Sequence, residues 1–459
     1  MLNESSTVQE LLAEIHVQKE KLIKEKKLKK TNPLPPITDG EKPFEIPNGW
    51  KWIRLGELLY LVAGVSYKKN QISKSGIRLL RGGNIQTPNI LFADDDIFLP
   101  QDFWNEEQSV QEDDIIIVAS TGSETVIGKP GFARKAIPNT LIGAFLRICR
   151  PYSPQVADYL RMIFYSTYYR DYIRTIAKGA NINNIRQEYI YNFVIPLPPL
   201  SEQHRLVARI ESLFAKLDAA KEKVQSVLNS HETRKAALLH DAFTGKLTAK
   251  WREEQGISLV NWQTRSLSDC GTWKGGGTPS KAHPDYWENG EIMWVTSKDM
   301  KSDKIQDTQM HITPLGVEQS SAIYSEKPAV LFVTRSGILR HTLPVALVNR
   351  PFTTNQDLKS LTPNENIDTQ YLFFAAKAFS GQILKTCMKN GTTVESINTK
   401  KLMEFLLPIA SMREQKVIAK MLRQLLNKEQ RARQTAEETL TAIDRMKQAI
   451  LARAFRGEL

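Results

Sequence analysis

Residues Pro196–Leu247, PLPPLSEQHRLVARIESLFAKLDAAKEKVQSVLNSHETRKAALLHDAFTGKL, return as Pro408–Leu459, PIASMREQKVIAKMLRQLLNKEQRARQTAEETLTAIDRMKQAILARAFRGEL. Glu202-Gln203 recurs as Glu414-Gln415, an offset of 212 (414 minus 202), and Ala242-Phe243 recurs as Ala454-Phe455 at the same offset. No gap is needed anywhere in the segment. A repeat of this length sets the organisation of the whole chain and is read before any local feature.

Each copy reads as a long helix. Leu206, Ile210, Leu213, Leu217, Ala220, Val224 and Val227 advance in steps of four and three in the first copy. Ile418, Leu422 and Leu425 do so in the second, and the stripe resumes at Ile443 and Met446. Such steps average about 3.5 residues, the period of a coiled-coil seam. Ser201 and Ser411 stand where N-caps are expected, and Gly245 and Gly457 where helices stop. Glu429 and the small residues interrupt the stripes, so neither copy is a strong zipper alone. The expectation is that the two copies pack on each other. The alternative is two independent surface helices on separate domains.

The repeat extends outward. Trp50 matches Trp262, Tyr159-Leu160 matches Tyr371-Leu372, Gly179 matches Gly391, and Ile185 matches Ile397, all at offset 212. LFVTRSG (331–337) echoes IVASTG (117–122) with a shift of three, whereas 273–300 shows no close counterpart. Strand-like runs at 76–86, 113–119 and 189–196, with helical 159–176, indicate an α+β domain. The expected fold is therefore α+β: two similar globular domains separated by two long antiparallel coiled-coil helices in a pseudo-two-fold repeat. Its boundaries are read as an N-terminal helical arm with a Pro-rich linker (1–43), a first domain (44–200), a helical spacer (201–250), a second domain (251–407) and a second spacer (408–459). About 30 helical residues at ~1.5 Å each make a rod of ~45 Å, or roughly 13 base pairs of B-DNA.

Thr7 and Glu10 fit a capping box at the start of the arm. Its basic end, Lys26 to Lys30, reads either as a frayed solvated helix or as a tail for a partner subunit or phosphates. The chain of 459 residues carries 62 Lys and Arg against 50 Asp and Glu, a net charge of +12. That excess favours a polyanionic partner. Three dispersed cysteines suit a reducing cytoplasm with no disulfide framework or zinc site. No apolar run approaches the roughly 18 residues of a membrane span.

No catalytic constellation is found. There is no Asp/Asn-Pro-Pro-Tyr/Phe motif and no G-x-G-x-x-G fingerprint. GSETVIGK (122–129) has the wrong glycine spacing for a P-loop, and Pro130 stands where Ser or Thr should bind magnesium. The seven histidines are scattered. What remains is binding chemistry: Lys, Arg, Asn and small hydroxyls near turns suit base edges and phosphates. The candidates in the first domain are Lys68, Lys69, Asn70, Arg81, Asn84, Ser123, Lys178 and Asn181, with Tyr67 beside them. In the second they are Lys274, Ser280, Lys281, Lys298, Arg335, Ser336, Arg340 and Lys389. Each alone is also an ordinary surface or turn residue; as a set on a basic protein they favour nucleic acid.

PLPPLSEQ (196–203), AFTGKL (242–247) with its AFRGEL echo, GANINNI (179–185), and GGGTPSK (275–281) with WVTSKDM (294–300) resemble the specificity subunit of Type I restriction–modification enzymes. The resemblance covers nearly everything beyond residue 43. It implies two target-recognition domains reading the halves of a split, asymmetric site in double-stranded DNA. It also implies helices that set the spacing and dock two methyltransferase subunits, with restriction subunits joining the assembly. No cofactor belongs to this chain on that reading; S-adenosylmethionine, ATP and magnesium belong to the partners. Two other readings stand beside it. One is a coiled-coil scaffold with protein-binding domains. The other is a self-contained nuclease or methyltransferase, which the missing motifs oppose.

Overall fold

The computed structural model describes residues 7–178, 183–259, 262–389 and 394–459. The chain divides into two units, Met1–Lys223 with Thr439–Leu459, and Val224–Glu438. Both boundaries fall inside long helices, so each unit owns part of each copy of the repeat.

The first unit opens with helix α1 (Val8–Lys24), whose capping box is made as the sequence predicts: the Glu10 N–H donates to Thr7 Oγ1 and the Thr7 N–H to Glu10 Oε2. Val8, Leu11 and Ile15 are buried in the unit's main core, so α1 packs on the domain along its apolar stripe. The Pro-rich linker is held by one side chain. Arg54 donates to the carbonyls of Pro35, Pro36 and Asn192 and pairs with Glu41 at 3.0 Å. The backbone N–H of Thr38, followed by Arg54, holds the Glu41 carboxyl down at about 2. A carboxyl lowered on folding stabilises above its unfolded value and loses that contribution as pH falls toward about 2. Proteolysis beside Lys42 is therefore expected to accelerate between about pH 4.5 and 2, and not between pH 5 and 8. Acceleration already at pH 6 would overturn this account of the lock.

Three of the first unit's sheets shape it. Lys51–Arg54 pairs with Val194–Leu197, closing the domain's two ends together. A four-stranded sheet runs Leu59–Ala63, Leu146–Pro151, Ile115–Val118, Pro130–Phe132. A three-stranded sheet has Ile77–Leu80 at its centre, parallel to Thr140–Ile142 and antiparallel to Ile97–Leu99. Ile115, Ile117 and Cys149 face the core shared with helices α2 (Ala157–Tyr165) and α3 (Thr167–Ile176). The helical run read at 159–176 is thus two helices, split where Ser166 caps α3 through the N–H of Tyr169. Short α4 (Gln187–Tyr191) leads back to the closing strand.

Helix α5 (Leu200–Asn229) follows. Leu200 is already helical, so Ser201 lies inside the helix rather than capping it, because the Pro199 carbonyl takes the Glu202 N–H. At Ser230 the helix is interrupted for one residue without losing its ladder: the Ser230 N–H donates to Ser226 O, and its hydroxyl bonds the same carbonyl. Helix α6 (His231–Phe243) continues to Gly245, whose φ of 81° accepts the left-handed turn the sequence anticipates.

The second unit adds α7 (Ala249–Gln255), α8 (Pro314–Glu318), α9 (Thr369–Ala378), α10 (Ser380–Cys387) and α11 (Thr399–Met403). Gln263–Ser266 closes on Leu406–Ile409. A five-stranded sheet runs Gly271–Lys274, Leu358–Pro363, Ala329–Val333, Val345–Val348, Lys304–Ile305. In the three-stranded sheet Ile292–Val295 is parallel to Phe352–Thr354 and antiparallel to His311–Ile312. This corrects the reading of 273–300 as lacking a counterpart. Ile292–Val295 occupies the place of Ile77–Leu80, at an offset of 215 (292 minus 77). The turns after the two strands are built alike, with the Arg81 N–H donating to Asn84 Oδ1 and the Thr296 N–H to Asp299 Oδ2. The match escapes sequence inspection because pleated backbone is conserved in shape while its side chains are replaced.

Helix α12 (Met412–Phe455) completes the repeat; here Ser411 does act at the N-terminus, accepting the Glu414 N–H at 3.4 Å. Within the first unit α12 runs antiparallel to α5: Lys221 pairs with Asp444 at 2.9 Å and Asp218 with Lys447 at 2.5 Å. Within the second it runs antiparallel to α6, where Arg234 pairs with Glu429 at 2.8 Å. Leu206, Ile210, Ile418, Leu422 and Ile443 are buried, and Leu213, Leu217, Val224 and Leu425 half-buried. Met446 corrects the expected stripe: it is 53% exposed. Lys447 takes its place, its stem buried and its ammonium 5.0 Å from the Phe214 ring centroid. A helix at 3.6 residues per turn puts 443 and 447 on one face, whereas the 3.5-residue stripe had chosen 446.

Candidate nucleic-acid interface

One set of backbone hydrogen bonds gathers the predicted loops of the first unit along one edge. The Val65 N–H donates to Ile142 O, and the Gly143 N–H to Leu80 O. The N–H groups of Ala119 and Ser120 both donate to Phe145 O, and the Ile185 N–H donates to Ala119 O. These bonds place the loops after Val65, Leu80, Ala119 and Ile142, and the backbone of Asn183–Asn184, side by side. Gly64 is required there: a Cβ would stand 2.0 Å from Gly143 O.

The second unit repeats the scaffold bond for bond. The Gly277 N–H donates to Thr354 O and the Asn355 N–H to Val295 O. The N–H groups of Thr334 and Arg335 donate to Asp357 O, and the Ile397 N–H to Thr334 O. Gly276 takes the place of Gly64, with a prospective Cβ 2.2 Å from Asn355 O. GVSYKK (64–69) and GGTPSK (276–281) are therefore equivalent loops, and Lys69 stands where Lys281 stands.

Most candidates lie on these edges, in two chemical states. Lys68, Lys69, Asn70, Lys178, Lys281, Lys298 and Lys389 are exposed, and none of these lysines forms a salt bridge among the described residues. Other cations are held within the protein. Arg81 Nη2 donates to Asp95 at 2.9 Å, and Arg335 Nε donates to Asp357 at 2.6 Å. Arg340 pairs with Glu395 and holds that carboxyl below its usual range. Lys274 Nζ donates to Tyr324 O at 3.0 Å. Ser123, Ser280 and Ser336 have hydroxyls engaged in local turns, with Thr125 Oγ1, the Ala282 N–H and the Ile338 N–H.

Asn84 is corrected. It is 4% exposed, and its Nδ2 donates to Leu91 O and Asp96 Oδ1 while its Oδ1 caps the turn. A side chain with its donors and acceptor spent on the fold has nothing left for a base edge. Asn181 lies outside the described residues. Sequence reasoning also passed over Phe145, which is 68% exposed on the same edge. The signal was present in TLIGAFLRI (140–148), where Phe145 falls in the turn between two apolar strands.

Among the described residues no group of three or more His, Cys, Asp or Glu side chains is placed to hold a metal ion. The three cysteines are buried, and burial pushes the Cys270 thiol up to about 11 and Cys149 well up, away from nucleophilic chemistry. No helix among the described residues is long and apolar enough to cross a membrane. What the edges offer is exposed ammonium groups and amides on rigidly bonded loops.

Two copies of one α+β domain, each with a cationic loop edge and its share of a helix pair, define a duplicated recognition scaffold. The family described as Type I restriction modification DNA specificity domain matches residues 47–229 and 259–440, and the chain belongs to that family. It is 25% identical to the EcoKI specificity subunit of Escherichia coli K12, over 90% of both chains. It is 39% identical to the EcoR124I/EcoR124II specificity subunit of E. coli over 36% of this chain and 40% of that one. Among solved structures, the HsdS subunit from Thermoanaerobacter tengcongensis aligns with 91% of this chain and all of its own at a TM-score of 0.59 and 19% identity. A chain from a structure of type I R-M complex assembly and conformational transition aligns over the same shares at 0.67 and 19%.

Proposed function

We infer that this chain is the sequence-specific DNA-recognition subunit of a Type I restriction–modification complex, each unit reading one half of a split site. One observation carries the reading: two equivalent loop edges share a single backbone scaffold and are dressed with different side chains. Shared scaffold means shared docking on duplex DNA; different side chains mean different half-site sequences. The chain itself is assigned no catalysis. Methylation and cleavage fall to methyltransferase and restriction subunits, which supply S-adenosylmethionine, ATP and magnesium chemistry. The helix pair is assigned the spacing of the half-sites and the docking of two methyltransferase subunits.

Methylome sequencing with and without the chain tests the role. Deletion is expected to remove one split adenine-methylated motif; survival of every motif, with no paralogue present, overturns it. The electrostatic part has its own test. Lys69→Ala and Lys281→Ala, which expose no new core, are each expected to lower the salt slope of binding by about 1 and weaken all sequences alike. Salt-insensitive binding by the assembled complex would favour a protein-binding scaffold instead.

A further inference from the structure

We propose that Phe145 is a nucleobase-stacking residue of the first unit, holding one base of its half-site out of the duplex stack. This rests on the DNA-reading role inferred above and adds to it a contact made by one unit only. Phe145 tops the turn joining Thr140–Ile142 to Leu146–Pro151, and its ring is 68% exposed. An exposed phenylalanine on a loose loop would mean little, but this turn is clamped. Gly143 O accepts the Leu146 N–H at 2.8 Å, Ala144 O accepts Arg147 Nη1 at 2.7 Å, and Phe145 O accepts two N–H groups at 2.8 and 3.1 Å. The same Arg147 nitrogen donates to Leu146 O at 2.7 Å. Every carbonyl of the turn is therefore bonded, so the ring is presented by a backbone already fixed before any partner arrives.

The ring borders a cavity of about 420 Å³, lined also by Tyr67, Lys69 and Arg81. That volume lies within the ~300–1,000 Å³ of ordinary small-ligand sites. An aromatic wall beside basic groups suits a flat π-system carrying a phosphate, because stacking accepts any base and cations accept the backbone. An acidic or purely apolar protein segment would leave one of those features unused. The duplicate unit sharpens the point. Asp357 stands at the position of Phe145, at the same offset as the rest of the repeat, and its carboxylate accepts Arg335 Nε at 2.6 Å and Asn355 Nδ2 at 3.3 Å. The stacking contact is thus confined to the half-site of the first unit. A base leaves its stack most cheaply at a flexible pyrimidine–purine step, so that half-site is expected to place one at the contact.

The test uses the full methyltransferase complex assembled with the unaltered chain, Phe145→Ala or Phe145→Trp. The duplex carries the motif read by methylome sequencing, with 2-aminopurine at successive positions. Beyond the target adenine of each half-site, which a methyltransferase subunit itself takes out of the stack, a fluorescence rise is expected at one further position of the first unit's half-site and at none of the second's. Phe145→Ala should abolish that rise and weaken binding about tenfold or more, whereas Phe145→Trp should keep both. Silence at every position other than the target adenines, with Phe145→Ala binding within about twofold of the unaltered chain, overturns the proposal and leaves the DNA-reading role intact. Loss of methyltransferase co-purification with unchanged DNA affinity also overturns it, making the patch a subunit contact. No selective binding by the unaltered complex would overturn the role itself, and this proposal with it.

Discussion

Replacing Glu414 by alanine is expected to destabilise the second unit by roughly 3–5 kcal/mol, the cost of stranding a buried cation. Glu414 begins the second copy of the repeat and is 1% exposed. Its Oε1 accepts Arg252 Nη1 and Thr248 Oγ1, both at 2.7 Å, and its Oε2 accepts Trp262 Nε1 at 2.8 Å. Arg252 is itself buried and also donates to Gly245 O at 2.5 Å and to Thr248 Oγ1. The pair ties α7 and the start of the strand Gln263–Ser266 to α12. Glu414→Gln retains volume and an acceptor and should cost less, about 1–3 kcal/mol. Changing both Glu414 and Arg252 to methionine should recover most of the loss, since a buried pair is replaceable by apolar packing. Urea unfolding followed by tryptophan fluorescence measures all three. A Glu414→Ala cost below about 1 kcal/mol would show that the network is incidental.

Glu414 also shows where sequence reading stops. Its repeat partner Glu202 pairs with Arg205 on its own helix, at 2.7 Å. Nothing in the matched letters says that one glutamate is half-exposed and the other sealed. The repeat itself was legible because certain positions are duplicated in chemistry as well as place. Tyr159 and Tyr371 donate to the carbonyls of Pro196 and Pro408, both at 2.7 Å. Gln203 and Gln415 donate to the carbonyls of Pro198 and Ala410, both at 2.8 Å. Such bonds need one residue type at one spacing, so they survive divergence and can be read. The interface edges depend on main-chain groups, which any residue supplies, so the kinship of Ile77–Leu80 with Ile292–Val295 left no trace in the side chains. For the same reason the lysines of the two edges were found by type, while Asn84, equally suitable by type, proved to be spent on its own turn. Burial and partner geometry separate those cases, and neither is written in local sequence.

A matched four-residue insertion in both long helices is expected to lengthen the spacer of the modified motif by one or two base pairs and leave both half-sites unchanged. Four residues add ~6 Å and about 400° of turn, so the faces beyond the insertion return nearly to their old orientation. The place for the first insertion is Ala219–Val227 of α5, between Asp218, which pairs with Lys447, and Arg234, which pairs with Glu429. The second belongs between Glu429 and Ile443 of α12, so that both sets of pairs survive. Lengthening α5 alone must sacrifice one set, because the strands of an antiparallel pair cannot gain length on one side only. The single insertion should therefore lower thermal stability and modification together, whereas the matched insertion should restore both. Methylome sequencing reads the outcome directly. An altered half-site sequence would mean that the helices shape the reading edges instead of spacing them, and an unchanged spacer would mean that something other than α5 and α12 sets the distance.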